Sequence, residues 1–306
     1  MGGTLTVTHR LNLILLGLML LFGLPFYWLL IDNTGDTLPA KHLDITELRG
    51  LAASIPGEPP YAIEVERAAF RRLPGDLLVA GSGLKRKLAG YMSFRLPVRG
   101  GKAIMIESGM TASVAEAIDA ESFSQPVQSK INAELDQAGM ILVTHEHPDH
   151  LGGLAELGGT ALSQHAWLNA AQLAAPLAWH GAKPEARISA TAPQAVAPGV
   201  VVIPAPNSHS AGSQLIFVRL ADGREALFVG DVSSFARNWM ELRARSRLIE
   251  QYINPENRAE VFSWLKAIRA LKAQDPGLLV VPGHDWEWLQ DPANHTGVRI
   301  GFAAAD

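Results

Sequence analysis

The chain has 306 residues, 48% of them hydrophobic, with a formal net charge of −4 and a pI near 6.2. That length carries one large core or two small ones, and the mildly acidic balance excludes the basic surface that a nucleic-acid partner needs. Cysteine is absent, which excludes disulfides, thiolate metal ligands and lipid-modified cysteine and leaves the compartment open.

Residues 11–31 carry no formal charge and, at ~1.5 Å per residue, are long enough to cross a ~30 Å hydrocarbon core. They read as one membrane-spanning helix. Tyr27 and Trp28 near its distal end suit an interfacial aromatic belt, and Arg10 before it against Asp32 and Asp36 after it favours a cytoplasmic N-terminus. The catalytic portion then lies on the non-cytoplasmic side, periplasmic or extracellular. Two rivals stay open. A cleaved signal peptide would have a shorter apolar region, and Leu38-Pro39-Ala40 is a weak cleavage match. A buried core helix conflicts with residues 32–60, which carry Pro39, Pro56, Pro59 and Pro60 and read as a linker. The expected organisation is a tail at 1–10, an anchor or signal peptide at 11–31, a linker at 32–60 and a catalytic domain at 61–306.

Short β-prone runs at 62–65, 77–80, 91–96 and 103–106, separated by Gly and Pro, predict antiparallel hairpins opening a sheet. Val127, Ile131, Leu135 and Ala138 recur at helical spacing and lead into a buried strand over 140–143. Leu151-Gly152-Gly153-Leu154 suggests a tight turn into a helix, and the Ala- and Leu-rich residues 167–178 predict another. Strands are expected at 200–203, 214–220 and 225–229. A helix is expected over 234–252, then a second with Asn254 as N-cap, Pro255 at its first position and a stripe of Val261, Trp264, Leu265, Ile268 and Leu271. A last strand over 278–281 ends at Pro282-Gly283-His284. No internal repeat or low-complexity tract is visible.

The densest chemistry lies in Thr144-His145-Glu146-His147-Pro148-Asp149-His150, three imidazoles and the Asp149 carboxylate within six residues at the end of a strand. In extended backbone His145 and His147 point the same way, while Asp149 and His150, past Pro148, can face a second ion. Three further candidates each follow a predicted strand: His209, Asp231 and His284. Gly230 and Gly283 precede the last two and allow a sharp turn that aims each side chain. Singly, each reads as a capping Asp or a core histidine; jointly with the loop at His145 they read as one metal site.

The pattern His-x-His-x-Asp-His, then His209, Gly230-Asp231 and Gly283-His284, resembles the metallo-β-lactamase-fold hydrolases. The intervals of 59, 22 and 53 residues that separate His150, His209, Asp231 and His284 are similar to those of its lactonase-like members. The resemblance covers residue 61 to the C-terminus and implies an α+β fold: an αββα sandwich of two mixed sheets flanked by helices, here preceded by the N-terminal transmembrane helix. It implies a dinuclear site, one metal on His145, His147 and His209, the other on Asp149, His150 and His284, with Asp231 bridging.

Imidazole and carboxylate ligands without thiolate suit two Zn²⁺, with Fe or Mn able to occupy the same set. A metal-bridging hydroxide would be the nucleophile, with Asp149 a candidate proton shuttle to the leaving group. The expected enzyme is a membrane-anchored hydrolase acting on a small ester, lactone or thioester, its partners being that small molecule and the membrane. Phosphoesterase chemistry on the same ions, or an iron-dependent redox or sulfur-oxidising activity of the same fold, are the rivals. Departures narrow the choice. Ser234 stands where quorum-quenching lactonases carry a tyrosine three residues past the bridging acid, and Glu107-Ser108-Gly109 replaces an Asp-x-Gly segment, so Glu107 is expected to support the ligands from behind. Trp286, Trp288, Phe235 and Trp239 fit packing better than a pocket wall. Lys85-Arg86-Lys87 reads as a solvated turn within reach of anionic lipid or substrate. His165, His180 and His295 have no partner spacing.

Overall fold

The computed structural model describes residues 7–35, 38–189 and 191–303, without the side chains of 160, 161 and 163. Asp36 and the start of the tail, 1–6, fall outside the described residues. Eleven strands occur among the described residues. They are β1 (Glu64–Pro74), β2 (Arg86–Leu96), β3 (Ile104–Ile106), β4 (Ser122–Phe123), β5 (Met140–Leu142), β6 (Gln194–Ala197), β7 (Val200–Pro204), β8 (Gln214–Arg219), β9 (Glu225–Gly230), β10 (Leu279–Pro282) and β11 (Arg299–Ile300). One sheet has the order β11-β1-β2-β3-β5, with β4 on β1; the other runs β10-β9-β8-β7-β6. Both are mixed, since β11/β1, β3/β5 and β10/β9 pair in parallel and the remaining neighbours antiparallel.

Alternation along each strand sorts the core into layers. Val65, Phe94, Ile106, Val202, Ile216 and Phe228 meet between the sheets, where the Phe94 and Phe228 rings pack edge to face at 5.0 Å. On the outer face of the second sheet, Ile203, Leu215, Phe217 and Val229 take the stripe Val261, Trp264, Leu265, Ile268 and Leu271 of helix Arg258–Gln274. On the outer face of the first, Met105, Ile141 and Val143 take Ile131 and Leu135 of helix Gln125–Gln137 and Leu151 and Leu154 of helix Pro148–Leu157. Helices therefore cover both outer faces, which is the αββα arrangement of the metallo-β-lactamase fold. Burying each such side chain is worth ~1.5–3 kcal/mol, so the stripes alone hold the helices in place.

Several local expectations are corrected. Residues 77–80 are not a strand; Gly75–Leu78 forms a helical turn, and the charged run of β1 pairs with β2 instead. Gly152 and Gly153 lie inside helix Pro148–Leu157 rather than in a turn, and Gly153 serves close packing there, since a Cβ would fall 2.0 Å from the Ser108 carbonyl oxygen. Within 167–178 only Ala170–Ala174 is helical, started by an Asn169 cap. The expected helix over 234–252 is broken at Leu242, whose φ is +50°, and the next helix is capped by Asn257 rather than Asn254.

The N-terminal helix Val7–Ile31 is 25 residues long and contains an 18-residue stretch with a mean hydropathy of 2.3, none of it buried, which removes the buried-helix alternative. The described residues of 32–60, expected as a linker, form a strap along the second sheet, residues 38–60 carrying its helix. Asp44 caps helix Ile45–Ala52 by accepting from Thr46 N and Glu47 N, and Ile45, Leu48 and Ala52, at helical spacing, join the core with Val201 and Ile203. Arg49 Nε donates to Glu225 Oε1 at 2.9 Å and Arg49 also pairs with Asp275, fastening the strap at its end.

Candidate metal centre

The seven candidate residues stand at one edge of the sandwich because each follows a strand that ends there. β5 delivers His145 and His147, and Pro148 opens a helix whose first turn carries Asp149 and His150. β7 leads into the loop with His209, β9 ends at Gly230 before Asp231, and β10 ends before His284. Gly230 takes φ +49°, and a Cβ there would strike Thr144 Oγ1 at 2.4 Å. Gly283 matters for closeness rather than for φ: a Cβ would lie 2.4 Å from Asp231 Oδ1.

Donor atoms from all seven fall into two clusters, each within 4.8 Å: His145, His147, His209 and Asp231, then Asp149, His150 and His284. In the first, His147 Nδ1 lies 2.9 Å from His145 Nε2 and 3.0 Å from His209 Nε2. In the second, Asp149 Oδ2 lies 3.4 Å from His150 Nε2 and 3.6 Å from His284 Nε2. Asp231 spans them, with Oδ2 3.6 Å from His209 Nε2 and Oδ1 3.0 Å from His284 Nε2 and 3.9 Å from His150 Nε2.

The outward ring nitrogens of His145, His209 and His284 are held by acceptors, and this fixes which nitrogen of each faces inward. Thr144 Oγ1 donates to Glu107 Oε1 and lies 3.1 Å from His145 Nδ1, which donates to it. His209 Nδ1 donates to Glu256 Oε2 at 2.8 Å, and His284 Nδ1 donates to the Gly90 carbonyl at 2.9 Å. Glu107 Oε1 also stands 3.2 Å from His150 Nδ1. Both ring nitrogens of His150 and Asp231 Oδ1 are buried without a hydrogen bond, the short approach of His284 to Oδ1 being out of line for one.

Electrostatics sort the same groups. Burial and neighbouring imidazoles hold the His145 pKa well below its usual value, and His147 falls to about 4 for the same reasons. Burial, then the Arg245 charge, brings His209 to about 3. These three imidazoles are neutral, with lone pairs free to bind. Burial opposes charging His150 and His284, yet the carboxylates of Glu107, Asp149 and Asp231 outweigh it and raise both. Burial would raise Asp149 and Asp231, but the imidazoles nearby hold both carboxylates ionised, aided at Asp231 by Arg245. Converging lone pairs, ionised carboxylates and orphaned buried donors make a cradle that fits cations.

Two residues without a sequence signal shape this centre. Arg245 is buried, and its Nη2 donates to Asp231 Oδ2 at 2.6 Å and also to Ser234 Oγ. Glu256, on the loop before helix Arg258–Gln274, holds His209, and burial pushes its pKa up to about 7 against the pull of Arg245, 3.7 Å away. One arginine of the run Arg243, Arg245 and Arg247, and a glutamate directly after Pro255, carry no spacing that marks them. Tyr91 sets its ring edge on to His284 at 5.0 Å. Trp286 is buried in the core with Arg67 over its ring, Phe235 packs with Leu78, Val79 and Ala89, and Trp239 joins the outer-face core of the second sheet, so packing is their visible role.

The profile of the β-lactamase superfamily domain matches residues 106–284, from the end of β3 to the last of the seven residues. The chain belongs to the β-lactamase superfamily. No curated protein sequence matches this superfamily member, but solved structures do. A quorum-quenching N-acyl homoserine lactone lactonase aligns with a TM-score of 0.58 and 17% identity over 76% of this chain and 95% of its own. An N-acyl homoserine lactone hydrolase with its product N-hexanoyl-L-homoserine at the catalytic metal center gives 0.56 and 16% over 75% and 95%. A probable metal-dependent hydrolase from Staphylococcus aureus gives 0.53 and 13% over 74% and 90%. At these identities the likeness shows the metallo-β-lactamase fold, the frame of metal-dependent hydrolases.

Proposed function

We propose that this superfamily member is a membrane-anchored, dinuclear metal-dependent hydrolase that opens a small ester, lactone or thioester. One observation carries the reading: the two oxygens of Asp231 face two separate clusters of inward nitrogens and a carboxylate. His145, His147 and His209 would hold one ion, Asp149, His150 and His284 the other, with Asp231 between; Zn²⁺ suits these donors, and Fe or Mn is compatible with them. A pair of ions there supplies a water of lowered pKa and a Lewis-acid contact for the scissile carbonyl. Asp149, the more open of the two carboxylates, is placed to pass a proton to the leaving oxygen or sulfur. Thr144, Glu107, Glu256 and Gly90 keep the imidazoles from turning. No serine or cysteine nucleophile is required.

Anchoring is supported by the exposed apolar helix and by the residue just beyond its end. Asp32 is buried and accepts from Arg247 Nε at 2.9 Å and Nη2 at 2.7 Å. Cleavage after Ala40 would strip that partner from the domain, so a retained helix at 11–31 with the domain at 61–306 on the non-cytoplasmic side is the reading we adopt. The test is elemental analysis of purified protein together with matched panels of lactones, thioesters and phosphodiesters. Two metals per chain with turnover of the carbonyl substrates is expected. Turnover of phosphodiesters alone would replace the carbonyl reading, and a single iron without zinc would replace the hydrolytic one.

A further inference from the structure

We propose that the catalytic domain is seated on the lipid surface through a collar of exposed apolar side chains, Leu84, Tyr252 and Ile253, around the foot of the N-terminal helix. The inference rests on the anchored reading above and adds a second lipid contact to it.

Two segments of the domain are fastened to that foot. Gly81 N donates to the Leu30 carbonyl at 3.0 Å, which brings the turn before β2 against the last turn of the helix. The Arg247 guanidinium lies 4.0 Å from the centre of the Trp28 ring, and Asn33 accepts from Ala244 N at 3.1 Å while donating to the Leu242 carbonyl at 2.9 Å. The two segments are also joined to each other, since Ala80 N donates to the Ala244 carbonyl at 3.0 Å. Both then expose what a water-facing loop has no reason to expose. Leu84 is 62% exposed, Tyr252 69% and Ile253 62%. Among the described residues beyond 60, five large apolar side chains are exposed, and these are three of them; the others are Met240 and Ile300.

The occupant is identified by continuity. The helix that ends at Ile31 is apolar and unburied along its window, so whatever solvates its last turn also meets the segments hydrogen-bonded to that turn. For a retained helix this is the bilayer. The chemistry of the collar fits an interface rather than a core: Tyr252 is amphipathic, Trp28 sits under a cation, and exposed Lys85 follows Leu84 directly, which suits a headgroup phosphate beside an acyl chain.

Because cysteine is absent from the chain, single cysteines can be introduced and spin-labelled without background. The full-length protein is reconstituted in phosphatidylcholine–phosphatidylglycerol vesicles with Leu16→Cys, Leu84→Cys, Ile253→Cys or Asp222→Cys, the last on an exposed hairpin turn. Collision with oxygen and with a water-soluble nickel chelate then reports the depth of each label. The expected result is deep burial at 16, severalfold protection from nickel at 84 and 253, and full nickel access at 222. Nickel access at 84 and 253 equal to that at 222, with 16 still in lipid, would overturn the collar while leaving the anchor intact. Nickel access at 16 would remove the anchor and the collar with it.

Discussion

Arg245 gives the candidate centre an asymmetry that its histidines alone would not produce. It draws charge from the Asp231 oxygen that faces the His145, His147 and His209 cluster and leaves the other oxygen without a hydrogen bond. Replacing it with alanine leaves that oxygen more basic but no longer held in position. We expect Arg245→Ala to lower metal affinity ~10–100-fold, the usual cost of losing a group that orients a ligand. Chelator competition followed by elemental analysis reads this without reference to turnover, and circular dichroism checks the fold. Unchanged affinity would show that Asp231 is positioned by its backbone alone. The residues of the clusters are legible in the sequence because imidazoles crowd into 145–150 and the remaining candidates each follow a β-prone run. Arg245 and Glu256 are not, since they act through a backbone break at Leu242 and a late helix start at Asn257, neither of which apolar periodicity registers.

At the scale of elements, the apolar patterns that face a single environment are readable and those that depend on a partner are not. The strands over 200–203, 214–220 and 225–229 and the stripe from Val261 to Leu271 are visible because burial imposes period 2 and period 3.6 directly. Most of β1 escapes such a reading because Arg67, Arg71 and Arg72 interrupt its apolar positions, and its pairing is supplied by β2 along ten registered residues. The strap over 32–60 resembles a linker in sequence because its prolines flank a short amphipathic helix. Its junction with the N-terminal helix makes a pH prediction. Burial would raise the Asp32 pKa, but bonds from Thr34 and Arg247 hold it below 3.8, the ordinary value. A depressed acid contributes stability above its unfolded pKa and loses it as pH falls through the folded value. Asp32→Asn should therefore destabilise at pH 7 by about 1.5–3 kcal/mol, the range for charge-assisted hydrogen bonds. That penalty should shrink as pH falls below the ordinary carboxylate value, 3.8, toward the lower pKa of the folded protein, where wild type too becomes protonated; denaturant melts at neutral and at strongly acid pH measure it. An equal penalty under acid would remove the ion pair as its source.

For the whole molecule, the clusters join both sheets, since β5 belongs to one and β7, β9 and β10 to the other. Metal held there would tie the two halves of the sandwich and stabilise the native state by mass action, ~2.7 kcal/mol at a hundredfold excess over Kd. Stripping metal with a chelator should thus lower Tm by on the order of 5–10 °C, and restoring Zn²⁺ should reverse it; a metal-free protein with unchanged Tm would argue against a cross-sheet site. The grip of Asp32 and Asn33 on the segment over 242–258 has one further effect. With no slack between stalk and body, the body cannot swivel: it turns only as its stalk turns, like a bracket bolted to a wall rather than a buoy on a rope. On the anchored reading proposed above, the metal centre would then stay at a fixed height above the bilayer, and compounds diffusing sideways along that plane would reach it before those drifting in from bulk solvent.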